Sequence, residues 1–313
     1  MNLYKKRILF VGIPDMAYVC LDGLKMAGFN IVGAFGAKKN HPTYDDFKSF
    51  VCSRNIEFIE YDNLNDDEFI DKIKNLNVDL AVVCSFNYKI PKKLLDTVKD
   101  GFLNLHPSLL PKYRGANPYS RVLINKEKAT GVTLHFMDEE FDTGDIVAQS
   151  SLQIAPRETM GTLFNRLNLL GLELLVKTLK LYEKKPLPRR KQDAECSIKG
   201  EALSNQEMTI DFNKPAIDIE RFIRALNPFV NANTLFRGTM VKIFSAKIYD
   251  APEVKSKPGT IEKVFNGNIY ISTGKGYLIP TVLQFGSFFI ATSQDFIEIL
   301  NPKIGEEFGV ING

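Results

Sequence analysis

LAVVCSFNYKIPKKLLDTVKDGFLNLH, residues 80–106, begins and ends on the two most continuous apolar runs of the chain, LAVVCS (80–85) and FLNLH (102–106). Runs with so little polar alternation read as strands covered on both faces, the environment of a parallel sheet flanked by crossover helices. They are the expected central strands. Between them FNYKIP reads as a loop and PKKLLDTV as a helix.

The pattern repeats outward. RILFVG (7–12) ends in a glycine turn, and Asp15 to Ala27 follows with helical spacing at Ala17, Leu21 and Leu24. NIVGAFG (30–36) is a second strand, 43–54 a helix, and IEFIEY (56–61) a short third strand. NDDEFIDKIKNLN (65–77) opens with acidic residues in its first turn, where they suit a helix dipole. TGVTLHFM (130–137) and DIVAQSSLQI (145–154) are two further strands, and 158–185 is a long leucine-rich amphipathic helix. The fold class this predicts is α/β: a Rossmann-like, parallel-containing sheet with flanking helices over residues 1–185.

From 186 to 206 the chain loses periodicity and gains proline and cations, which reads as a linker. Residues 207–313 then hold one helix, IDIERFIRAL, and short β-rich runs (TLFRG, VKIFSAKIY, GTIEKVF, GNIYISTG, GYLIPTVLQF) punctuated by glycine and proline. That rhythm predicts a small β-rich domain, an OB-like barrel.

Composition excludes several classes of function. A hydrophobic content of 44% and 313 residues are enough for two ordinary cores, and a net charge of +3 is too small to mark a nucleic-acid or membrane surface by itself. No apolar stretch reaches the eighteen or so residues of a membrane span, and the opening MNLYKKRILFVG reads as a first strand rather than a signal peptide. Cys20, Cys52, Cys84 and Cys196 are far apart, without CxxC pairing, so they read as packing residues of a reducing compartment. The expected location is cytoplasmic, with no membrane partner.

In an open α/β sheet, ligands bind at the carboxyl ends of strands. Asn104 and His106 stand at such an end, and strand alternation puts both on one face. An amide that donates to an oxyanion beside an imidazole that moves a proton is the equipment of acyl transfer. The plainer alternative is a histidine that caps a strand. Asp142, 36 residues on, precedes a Thr-Gly turn. It reads either as a simple turn residue or as a carboxylate that orients the imidazole and raises its pKa, an effect that burial opposes. Asp138, Glu139, Glu140 and Asp145 read as ligand contacts or as a solvated acidic rim.

Read together, N-L-H-P-S-L-L-P-K-Y-R-G, T-G-V-T-L-H and D-T-G-D-I closely resemble the formyltransferase family that uses 10-formyltetrahydrofolate. GIPDM (12–16) is similar to that family's first loop, and IRALNPF (223–229) with the later β-rich part is similar to the carboxyl-terminal domain of its tRNA enzymes. The resemblance implies that Asn104, His106 and Asp142 form the catalytic trio. An uncharged amine would attack the formyl carbon, Asn104 and a protonated His106 would stabilise the oxyanion, and Asp142 would favour the imidazolium. No metal is needed. It further implies folate contacts at Phe86, Tyr88, Lys89 and Ile90, at Ser108, Leu109, Leu110 and Pro111, and at Asp138, Glu139, Glu140 and Phe141. Pro14, Lys112 and Arg114 would face the acceptor.

The acceptor expected from the sequence is a nucleotide-linked amino sugar, with methionyl-tRNA as the alternative. GAKKNHPTYDD (36–46) stands where the tRNA enzymes carry a long basic insertion, and Leu105, His135 and PFVNAN (228–233) depart from their pattern. From Glu201 onward the chain holds 11 Lys plus Arg against 12 Asp plus Glu, whereas phosphate binding needs clustered cations. Lys184, Lys185, Arg189, Arg190 and Lys191 read as solvated linker charges or as phosphate contacts.

Overall fold

A computed structural model describes residues 3–309 apart from positions 252 and 288. The chain falls into two compact units, each built from several stretches of sequence. The first comprises residues 1–118, 128–153 and 165–201, and the second 119–127, 154–164 and 202–313.

In chain order the first unit contributes β1 (Arg7–Gly12), α1 (Met16–Met26), β2 (Asn30–Phe35), α2 (Tyr44–Cys52), α3 (Asp67–Asn75), β3 (Leu80–Cys84), α4 (Lys92–Leu95), β4 (Phe102–His106) and β5 (Lys112–Arg114). After α5 (Pro118–Ile124) come β6 (Ala129–Phe136), β7 (Ile146–Gln153), α6 (Met160–Tyr182) and β8 (Ile198–Lys199). Six strands form one sheet in the order β2-β1-β3-β4-β6-β7. The first four run parallel, and β6 and β7 are antiparallel.

The reason for a parallel centre is visible in the burial. Every residue of β3 is buried, and Leu103 and Leu105 of β4 are equally enclosed. Helix α6 approaches β4 so closely that a Cβ on Gly171 would lie 2.9 Å from Leu105. A side chain at Gly171 would therefore press on the buried end of Leu105.

One expected element is corrected. IEFIEY is not a strand of the sheet; it meets β2 through a single bridge, Ala34 to Phe58. Ile56, Ile59 and Tyr61 are buried, yet they pack as a loop along the edge of the sheet. The strand order reverses between β1 and β3, where the Ile13 N–H donates to the Ser85 carbonyl at 3.0 Å. The carboxyl ends of β1, β3 and β4 therefore open on one side of the sheet at the place where such folds bind ligands.

The second unit contains α7 (Ala216–Leu226), β9 (Ala232–Phe236), β10 (Thr239–Tyr249), β11 (Ile261–Phe265), β12 (Asn268–Ser272), β13 (Tyr277–Phe285), β14 (Phe289–Thr292) and α8 (Ser293–Leu300). Its antiparallel sheet runs β11-β12-β13-β10-β9. Near the C-terminus Glu307 bridges to Thr260 beside β11, while Phe308 bridges to Phe236 of β9. That segment touches both edges of the sheet through these two single bridges. Ile219, Ile223 and Leu226 of α7 pack with Phe236, Val241, Ile243, Leu278 and Leu283 in the core of this unit.

Candidate active site

The site lies wholly in the first unit and begins with a cross-strand pair. In the β4–β6 register Asn104 stands opposite His135, and His106 opposite Thr133. Directly opposed residues share one face at about 5 Å between Cβ atoms, so Asn104 Nδ2 meets His135 Nε2 at 3.0 Å. His135 Nδ1 faces the Phe136 carbonyl at 2.9 Å and so carries a proton, while Nε2 faces both the Asn104 amide and the Asp142 carboxylate.

Asp142 enters from the loop between β6 and β7, with a backbone φ of 58°. Its Oδ1 lies 3.3 Å from Asn104 Nδ2 and 3.3 Å from His135 Nε2. Its Oδ2 accepts the Gly115 N–H at 2.8 Å and lies 3.5 Å from His106 Nδ1. Because a carboxylate only accepts, Asn104 must present its nitrogen to this group. Both amide hydrogens are thus committed inside the cluster. The three residues expected to act together are brought together, and His135 is a fourth member that the sequence reading left out.

His106 Nε2 donates to the Tyr113 carbonyl at 2.8 Å, so the neutral ring has its lone pair on Nδ1, facing Asp142. Burial pushes the His106 pKa below its ordinary value, and His135 adds to that; Asp142 and the Tyr113 carbonyl pull the other way without prevailing. Burial at 5% exposure therefore works against the protonated His106 that the resemblance implies, while Asp142 works for it. Burial also raises the Asp142 carboxyl, but His106, His135 and the Gly115 N–H outweigh it and hold the group well below the usual carboxylate range.

The loop after β4 is fixed by three side chains. Thr133 Oγ1 donates to the Ser108 carbonyl at 2.6 Å and accepts the Leu110 N–H at 3.1 Å. Gln149 Nε2 donates to the Leu110 carbonyl at 2.9 Å, and Ser108 Oγ to the Lys112 carbonyl at 2.6 Å. The side chains of Ser108, Leu110 and Ile90 are buried, whereas Leu109 is half-buried, Pro111 likewise partly accessible, and Lys112 exposed. Pro14 sits half-buried beyond β1.

Two loops face each other beside the trio. Lys89 of the 86–91 loop pairs with Glu140 at 3.1 Å, and Lys92 of α4 lies 3.9 Å from Glu139. Phe86 stacks edge-on against Tyr88, and the Phe141 ring is 51% exposed. Asp138 is occupied by its own turn, accepting from Thr143 Oγ1 at 2.6 Å and from the Glu140 N–H. Half-exposed aromatic rings next to loop backbone fit a flat heterocycle with a polar edge, such as a pterin. A cavity of about 730 Å³ lined by Lys92, Phe102, Met137 and residues 138–140 opens at the start of β4; none of the trio lines it.

Arg114 was expected to face an acceptor. Its Nε and Nη2 rest on Gln192 Oε1 at 3.1 and 2.7 Å. The same Gln192 amide donates to the Asp142 and Gly144 carbonyls, each at 2.8 Å. Residues 190–200 also hold the site from outside: Arg190 bridges Ile146, β8 pairs with β5, and the Asn117 N–H donates to the Gly200 carbonyl.

Residues 29–179 match the family model described as Formyl transferase, and residues 202–301 the model described as Formyl transferase, C-terminal domain. The methionyl-tRNA formyltransferase of Agathobacter rectalis is 35% identical over 285 residues, which cover 89% of this chain and 91% of that protein. Among solved structures, the N-formyltransferase from Helicobacter canadensis in complex with folinic acid and dTDP-3-aminofucose is similar in fold, with a TM-score of 0.64 at 21% identity over 88% of this chain and 99% of that one. HypX from Aquifex aeolicus in complex with tetrahydrofolic acid gives a TM-score of 0.68 at 18% identity; the match covers 96% of this chain and 48% of that one.

Proposed function

The chain belongs to the formyl transferase family, and from that premise we propose that it moves the formyl group of 10-formyltetrahydrofolate onto the amino group of methionyl-tRNA. The observation that carries the acceptor is similarity to methionyl-tRNA formyltransferases that runs through both domains. The relatives do not favour the amino-sugar acceptor expected from the sequence. That expectation leaned on a domain-wide charge count, which averages away any local cationic face, and phosphate binding depends on the face.

The folate supplies the formyl carbon, and the chain's own groups supply the rest. Neutral His106 is the proton acceptor. Its Nε2–H is held by Tyr113, so a proton lost by the attacking amine is taken at Nδ1, where Asp142 at 3.5 Å stabilises the imidazolium as it forms. As Asp142 turns toward that new cation, its contact with Asn104 at 3.3 Å, longer than the 3.0 Å bond to His135, is the one that yields. The freed Asn104 N–H then donates to the developing oxyanion, a contribution on the order of 3 kcal/mol for one positioned donor, and His106 passes its new proton to the folate N10 as the bond from N10 to the formyl carbon breaks, which releases tetrahydrofolate and returns the ring to neutral.

The test is incubation with 10-formyltetrahydrofolate and either methionyl-tRNA or a panel of UDP- and dTDP-linked amino sugars, with release of tetrahydrofolate as the readout. Turnover with methionyl-tRNA that weakens steeply as salt rises supports the reading. Turnover with a nucleotide sugar alone overturns the acceptor while leaving formyl transfer intact.

A further inference from the structure

Asp142 occupies a backbone conformation, φ 58°, that L-residues adopt at a cost, so something outside its own loop must hold it there. Its carboxylate has ligands enough, but these fix the side chain and leave the main chain free. The main chain is held by Gln192, 50 residues further along. One amide hydrogen goes to the Asp142 carbonyl and the other to the Gly144 carbonyl, both at 2.8 Å, so the 142–143 and 144–145 peptide units are fixed together. The amide oxygen is in turn fixed by the Arg114 fork. All four ordinary hydrogen-bonding positions of that amide are therefore filled, and in a half-buried setting such a fully satisfied group is rigid.

We propose that Gln192 is a positioning residue of the reaction: by tying the carbonyls of Asp142 and Gly144 to Arg114 it sets the separation of Asp142 from His106. The proposal rests on the reading of Asp142 and His106 as the catalytic pair. It assigns a task to a residue whose amide is held by Arg114, Asp142 and Gly144. Gln192 also joins the side of the site that carries the trio to the Arg114 side, so displacement of one is felt at the other.

Two variants separate the parts of the amide. Gln192→Met has similar length and removes all four bonds, while Gln192→Glu keeps an acceptor for Arg114 and loses both donors. Each is expected to lower kcat by about 10²-fold with KM for 10-formyltetrahydrofolate little changed, since small misplacements at a reacting centre cost on that order. The His106 ring, which faces Asp142, His135 and the Tyr113 carbonyl, is expected to titrate at lower pH by NMR in the free variant, because the carboxylate that raises its pKa has moved away. In an Asp142→Asn background the same substitution should change kcat little, because its route of action is already gone.

Unchanged kcat in folded Gln192→Glu, an unmoved His106 titration, or a full additional loss in the Asp142→Asn background overturns the proposal. The NMR titration needs no acceptor. A wild-type protein that ignores methionyl-tRNA thus defeats the acceptor reading alone and leaves this one to be decided.

Discussion

The ring Nε2 of His106 lies 2.8 Å from the carbonyl oxygen of Tyr113, and this contact fixes which nitrogen can take a proton. A peptide carbonyl only accepts, so Nε2 keeps its hydrogen and Nδ1 is the open valence. Tyr113 itself has φ 60°, a turn that aims its carbonyl inward while its side chain stays buried.

The first consequence is a pH profile. With a neutral His106 as proton acceptor, kcat/KM falls on the acid side with a midpoint below the ordinary imidazole value of about 6.5. Asp142→Asn removes a contribution that raises the His106 pKa, so the midpoint moves further down, and the rate drops by about 10²-fold or more. Initial rates from roughly pH 5 to 8 in both proteins check the sign; a midpoint that rises in the variant contradicts it.

His135 contributes through Asn104. Replacing it with Leu leaves one Asn104 hydrogen and the Phe136 carbonyl without their partner in a site where His135 is 1% exposed. The expected cost is about 1–3 kcal/mol in unfolding free energy, with a lower kcat as the amide turns away. Urea denaturation and steady-state kinetics on His135→Leu check both, and a variant unaffected in either measurement removes His135 from the site.

Acid stability has a defined sign. Asp142 is held below its unfolded value, so the unfolded chain binds more protons between the two, and the stability it adds is lost as pH falls through the folded value. The lowered His106 acts in the same direction below the ordinary imidazole range. Urea midpoints should decline on acidification from neutrality. Asp142→Asn should be weaker at neutral pH and should decline less steeply.

Gly144 is a steric requirement. A Cβ there would fall 1.9 Å from the Phe136 carbonyl oxygen, which belongs to the backbone and has little room to move. Gly144→Ala is expected to cost about 1–3 kcal/mol by overpacking and to lower kcat by displacing the Asp142 loop. Thermal denaturation with a parallel activity assay measures the two, and full activity in the variant shows that the loop tolerates the shift.

Strand alternation was enough to place Asn104 and His106 on one face, whereas Asp142, ahead of its Thr-Gly turn, read as a turn residue or an orienting carboxylate until the family resemblance joined it to them. His135 was harder to see, because TGVTLHFM reads as a strand but its register against FLNLH is a tertiary property. Gln192 lies in an aperiodic stretch that reads as a linker, and its bonds run to residues 78 and 50 positions away. No local pattern signals such contacts. Burial, which pushes the His106 pKa down, is not something periodicity measures. α8 was missed as well: residues 207–313 were expected to hold one helix, although Thr292 and Asp295 form a capping box ahead of this second one.

Strand β4 pairs in parallel with β3 on one side and antiparallel with β6 on the other. Asn104 and His135 are therefore neighbours in the hydrogen-bond ladder itself, not on separate mobile loops. Fluctuations that pull these two apart have to unzip the middle of the sheet, so their amides should exchange with solvent only through the rarest openings of the molecule. Breathing motions that admit and release reactants fall instead to the surrounding loops, and turnover proceeds without melting its own centre.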